Sequence, residues 1–147
     1  MDAKNRKPQT AIAYYYRACV GLSDDEKSMR IKDRLLHKAR TEGIVVQEIC
    51  GDLGGLRLAR SHALRALRDG KANVLIVPSL RHLSRKPAQL VELVDEAFSG
   101  FKAARLLTCD GEFDSDKPAA RACWPILRAV TEFESELHYQ VKGITVH

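Results

Sequence analysis

No stretch of 18 consecutive apolar residues occurs in the 147-residue sequence, so no segment has the length and character of a membrane-crossing helix. The first ten residues, MDAKNRKPQT, hold no apolar core of the kind a secretory signal carries. Together these absences predict a cytoplasmic protein with no membrane partner. Cysteine is scarce: Cys19, Cys50, Cys109 and Cys123 lie far apart with no C-x-x-C pair. That spacing argues against a disulfide framework and a structural zinc site, so reduced thiols, no metal and no other cofactor are expected. A glycine-rich phosphate fingerprint is missing too, since Gly54-Gly55 is too generic a pair to count as one.

What is present is a chain with 45% hydrophobic and 29% charged residues, enough for one continuous core. A single domain over residues 1–147, without a separate DNA-binding domain, is the expectation. Lys and Arg number 24 against 19 Asp and Glu, a net charge of +5, which suits a polyanionic partner without requiring one.

Two hydrophobic runs organise the rest. TAIAYYYRACVG, Thr10 to Gly21, has no helical stripe and reads as a strand buried on both faces. Residues two apart on a strand share a side, so Arg17 and Cys19 are expected to project together from its carboxyl end, where open α/β sheets hold ligands. NVLIVPSLRHLSRK, from Asn73, repeats the pattern: a buried strand stopped by Pro78, then the basic cluster Arg81, His82 and Arg85.

Between and after these runs, strands and helices alternate. A helix from about Asp24 to Glu42 carries Met29, Ile31, Leu35, Leu36 and Ala39 at helical spacing, with Ser23, Asp24 or Asp25 as its cap and Gly43 as its stop. Ile44 to Ile49 reads as a strand, and Cys50 to Arg60, with three glycines and no period, as a flexible loop beside a functional surface. A short helix Ser61–Asp69, the strand Asn73–Val77, a helix Pro87–Phe98 and a strand Arg105–Cys109 follow. Pro118 then opens a long last helix, capped by Ser115 or Asp116, with an apolar stripe through Ile126, Leu127, Val130, Phe133, Leu137 and Val141. The alternation predicts an α/β fold, a mostly parallel, helix-flanked sheet.

The motifs Y-x-R-x-C at Tyr15–Cys19 and L-R-H-L-S-R at Leu80–Arg85 resemble the catalytic domain of serine recombinases, the resolvase/invertase family, in which they read Y-x-R-x-S and D-R-L-S-R. The resemblance runs from about Ala11 to about Val141. It implies a resolvase-like catalytic domain with a long C-terminal helix used for dimerisation and for crossing DNA. T-E-F-E-S-E-L, Thr131 to Leu137, is similar to the family's A-E-F-E-R-E-L in that helix, with Ser135 in place of an arginine.

In that family a serine attacks a DNA phosphodiester and arginines, without metal, hold the charge that develops at phosphorus. Carried over residue by residue, the resemblance puts Arg17, Arg60 and Arg85 on active-site arginines and Cys19 on the nucleophile. His82 replaces an essential arginine and Arg81 the aspartate before it. A guanidinium matches phosphate bidentately, which histidine does not, so each missing arginine costs about two to three orders of magnitude in rate. The family's glutamine in the helix after the nucleophile has no counterpart between Ser23 and Gly43.

These departures predict a degenerate site in a non-cleaving, self-associating protein. Its expected partners are DNA, met weakly and without sequence preference through Arg57, Arg60, Arg81 and Arg85, a second copy of the chain held along Val130, Phe133, Leu137 and Val141, or a full-length recombinase. Two alternatives stay open: an active recombinase using Cys19 as nucleophile, and a small phosphate- or nucleotide-binding α/β domain.

Overall fold

The computed structural model describes residues 8–18, 24–99, 104–120, 122–126 and 128–133. Cys19, Leu137 and Val141 lie outside the described residues. The strands β1 (Thr10–Arg17), β2 (Val45–Leu53), β3 (Val74–Val77) and β4 (Arg105–Thr108) alternate with the helices α1 (Asp24–Thr41), α2 (Leu58–Arg68) and α3 (Pro87–Ser99). They form one parallel sheet in the order β2-β1-β3-β4. The chain therefore reverses its direction of travel across the sheet between β1 and β3. A crevice opens at such a reversal beyond the carboxyl ends of the strands.

Side-chain alternation divides the core into two layers. Ala11, Ala13 and Tyr15 of β1 join Val74, Ile76 and Leu107 against Leu35 and Ala39 of α1. Ile12 and Tyr14 join Leu75, Val77 and Leu106 on the opposite face, packed by Ala63, Ala66 and Leu67 of α2 and Val91 and Val94 of α3. A two-residue period explains why apolar runs without alternation became strands covered on both sides. Truncating a fully buried side chain such as Leu35 or Ile76 to alanine would cost about 2–5 kcal/mol.

Two boundaries depart from the sequence reading, and both departures build the site. β2 does not stop at Ile49 but runs on to Leu53, because the register with β1 continues through Tyr14–Cys50, Tyr15–Gly51 and Arg17–Leu53. The flexible loop expected over Cys50–Arg60 shrinks accordingly. Gly51 makes the pairing possible, since a Cβ there would collide with the buried ring of Tyr15. α2 likewise begins at Leu58, three residues before Ser61, because the Asp52 carboxylate accepts the amides of Ala59 at 2.8 Å and Arg60 at 3.0 Å. The cap comes from the neighbouring strand rather than from the residue before the helix, where Arg57 sits at φ 54.

At the opposite edge, buried Arg105 ties β4 to its surroundings through Asp114 (2.8 and 3.0 Å), Glu42 and Gln9. Residues 118–120, 122–126 and 128–133 are helical. This last helix packs on its own domain through Trp124, whose indole donates to Asp95 at 2.7 Å and meets Phe113 edge to face. Ile126, Val130 and Phe133 are exposed, and Ile126 and Val130 line an open apolar cleft of about 660 Å³ together with Trp124 and Phe113. No helix among the described residues is long and apolar enough to cross a membrane.

Candidate active site at the carboxyl ends of β1 and β3

β1 delivers Tyr14 to the α2 side of the sheet, where its hydroxyl donates to Asp52 at 2.7 Å. Burial, reinforced by the Asp52 charge, raises the Tyr14 pKa well above its usual range, so the phenol stays a donor at all ordinary pH values. Asp52 thus holds a β1 side chain and the first turn of α2 at once. This fixes where Arg57 and Arg60 stand.

Arg57 is an internal strut. Its Nη1 donates to the carbonyl of His82 at 2.7 Å and more weakly to that of Leu83 at 3.3 Å, and its guanidinium lies 3.8 Å above the Tyr16 ring. Those contacts hold a left-handed backbone that ordinarily costs a residue with a Cβ about 1–2 kcal/mol. Arg60 donates through Nη1 to the Leu83 carbonyl at 2.6 Å, which uses one of the five donors of its guanidinium. Burial and the nearby charge of Arg57 press its pKa down.

His82 ends a 3-10 turn, Leu80–His82, and points back at β1: the Tyr16 amide donates to its Nδ1 at 2.9 Å. Burial, with the charges of Arg34, Arg57 and Arg85, pushes its pKa down to about 4. The ring is therefore neutral at neutral pH with its proton on Nε2. It is half-buried, with Nδ1 occupied by the Tyr16 amide, so it adds no charge to the basic cluster near neutral pH.

Arg85 is exposed where the chain turns into α3, a turn closed by Ser84, which accepts the Lys86 amide at 3.1 Å and donates to Gln89 at 2.8 Å. A cleft of about 280 Å³ brings together Arg57, Arg60, Arg85 and Lys86. Arg81 is exposed and shares a second cleft, of about 460 Å³, with Arg85. Arg17 lines neither and donates to Ser28 of α1 at 3.3 Å. Gly54 closes the β1 side by donating its amide to the Arg17 carbonyl at 2.7 Å, at a φ of 74 that glycine adopts without strain.

The arrangement is a cationic crevice beside the strand reversal, with Arg60 and Arg85 across one cleft. It can hold an anion through charge-assisted hydrogen bonds. Asp52 and the structural use of Arg57 escaped sequence reasoning; an aspartate six residues before the start of a helix, on another element, carries no local capping signal. Sequence spacing also gave no sign of one group of metal-ligand side chains, Glu48, Cys50 and His62, which the fold brings together.

A model of the family "Resolvase, N terminal domain" matches residues 12–141. The chain belongs to the resolvase family of serine recombinases, within its N-terminal catalytic domain. The crystal structure of the N-terminal catalytic domain of TP901-1 integrase is similar to it, with 25% identity, a TM-score of 0.72, and coverage of 88% of this chain and 98% of that one. A resolvase family site-specific recombinase from Streptococcus pneumoniae shares the fold at 15% identity and a TM-score of 0.73, over 94% of this chain and 96% of that one. The C-terminal catalytic domain of ISC1926 TnpA, an IS607-like serine recombinase, does so at 17% identity and a TM-score of 0.54, over 67% of this chain and 66% of that one. No curated protein sequence matches the chain.

Proposed function

We propose that this resolvase-type domain binds the DNA backbone and associates with itself without cutting DNA. The observation that carries the reading is the 2.9 Å bond from the Tyr16 amide to His82 Nδ1. At the position where the family resemblance puts an essential arginine, this chain has a neutral ring employed in joining the β3 turn to β1. A pentacoordinate phosphorane needs positive charge aimed at it, and here that position supplies none. Cys19, at the position of the nucleophilic serine, is the second departure. Arg60, Arg81 and Arg85 remain to meet phosphates, contacts that are blind to sequence. Val130 and Phe133, exposed on the last helix, supply the apolar surface for a second copy.

The test is denaturing electrophoresis of the protein with supercoiled plasmid and short duplexes, looking for protein joined to a 5′ DNA end. Wild type, Cys19→Ser and His82→Arg should each be inert, because groups acting as one catalytic unit fail together. His82→Arg has a further handicap, since it removes the acceptor of the Tyr16 amide. An adduct formed by wild type and abolished in Cys19→Ala would overturn the reading and make Cys19 a working nucleophile.

A further inference from the structure

The α2-facing side of β2 carries a set of ligands that the anion-binding crevice does not use. β2 is an edge strand, and its register with β1 slips by one residue: Ala11 pairs with Val46 but Ile12 with Glu48, leaving Gln47 as the extra residue of a bulge. The slip changes which side chains face which layer. Beyond it, Glu48 and Cys50 follow Ile12 and Tyr14 onto the α2 side, while Ile49 follows Ala13 to the α1 side. Without the extra residue Glu48 would stand on the opposite face, out of reach of α2.

On α2, His62 meets them. Its Nε2 lies 2.9 and 3.1 Å from the two Glu48 oxygens, and Cys50 Sγ lies 3.5 Å from Glu48 Oε1. The three ligand atoms lie within 4.8 Å of one another. Zinc bonds of about 2.0–2.3 Å in a tetrahedron put neighbouring ligands roughly 3.3–3.6 Å apart, so the Glu48–His62 and Glu48–Cys50 pairs stand near such an edge and small side-chain rotations would bring the third pair, within 4.8 Å, onto it. Cys50 is 7% exposed, whereas Glu48 and His62 are half exposed, which leaves the fourth corner to water.

We propose that Glu48, Cys50 and His62 form a binding site for a divalent transition metal of the zinc class. A sulfur, an imidazole nitrogen and one carboxylate suit zinc among common ions and disfavour magnesium and calcium, which take oxygen. On binding, the metal takes up the thiolate sulfur, and the thiol proton leaves to solvent. The nearby charge of Lys71 opposes the cation. The metal would staple β2 to α2 one helical turn beyond the point where Asp52 already joins them, and so brace the helix that carries Arg60.

The test uses the full chain, stripped with a chelator and titrated with Co²⁺ as a coloured stand-in for zinc. One equivalent should give a near-ultraviolet thiolate-to-cobalt band that Zn²⁺ displaces, and Zn²⁺ should raise the unfolding temperature. Cys50→Ser should abolish the band. His62→Ala, at an exposed position that does not threaten folding, should weaken binding by more than the roughly 10- to 100-fold that loss of a mere outer hydrogen-bond partner brings. Absence of the band in wild type, its survival in Cys50→Ser, which would assign it to the other thiols, or an affinity unchanged in His62→Ala overturns the proposal.

Discussion

His82 accepts the backbone amide of Tyr16 at 2.9 Å, a bond between residues 66 apart in the chain that pins the turn after β3 to the end of β1. Arg57 reinforces the same junction from the other side, spanning the His82 carbonyl and the Tyr16 ring. The basic cluster after β3 is thus set in place by a neutral imidazole. Several measurable consequences come from that junction and its neighbours.

Stability should depend on pH through His82. Its pKa is depressed from 6.5 to about 4 by burial and by the adjacent arginines. The unfolded ring takes up a proton near pH 6.5 and the folded ring only near pH 4, so this contribution is complete above 6.5 and is lost as the pH falls through that window. At about 1.4 kcal/mol per pKa unit, the loss amounts to at most about 3–4 kcal/mol. Urea melts across pH 4 to 7 should show it, and His82→Asn, whose Oδ1 can accept the same amide without titrating, should remove that component from the curve.

Asp52→Ala should destabilise the fold by about 3 kcal/mol, since it strips partners from the Tyr14 hydroxyl and from two amides of the first turn of α2. Tyr14→Phe removes only one of those bonds and should cost about 1 kcal/mol. Equal losses in chemical denaturation would show that Asp52 does not act as the cap of α2.

Gly51→Ala should cost about 1–3 kcal/mol through overpacking against the Tyr15 ring. Shrinking the ring relieves the clash, so the double variant Gly51→Ala, Tyr15→Leu should lose less than the sum of its two single changes. Additive losses would mean that the ring moves aside freely.

DNA binding should be independent of sequence and steeply dependent on salt. Replacing Arg81 and Arg85 with alanine should weaken every duplex alike and lower the slope of log affinity against log salt by about 2, one per phosphate contact. Fluorescence anisotropy with two unrelated duplexes over a salt series measures both. A tight, selective complex surviving moderate salt would contradict a surface that meets phosphates alone.

Self-association should depend on the outward stripe of the last helix. Val130 is 48% and Phe133 64% exposed, and Phe133→Glu would put a charge in any interface built there. Light scattering should find wild type at least dimeric at tens of micromolar, roughly the range in which a micromolar contact is populated. The variant should be monomeric, and a monomeric wild type would remove this surface from consideration.

The elements of the fold and their order were legible in the sequence because apolar periodicity and helix stops are local signals. Ala11–Tyr15 and Val74–Val77 are continuous apolar runs, and these are the strands buried on both faces. The Y-x-R-x-C and L-R-H-L-S-R motifs likewise marked Arg17, Arg81 and Arg85 as neighbours of the strand ends. What only the tertiary structure decided depends on residues that meet across the chain. β2 reaches Leu53 because β1 offers partners up to Arg17, and α2 starts at Leu58 because Asp52 on the adjacent strand caps it. The roles of Arg57 and His82 are set by backbone groups 25 and 66 residues away, which no window of sequence contains. Glu48, Cys50 and His62 converge through a one-residue bulge that shifts the face of everything after it, and it is the pairing of β2 with β1, rather than the composition of β2, that places it there.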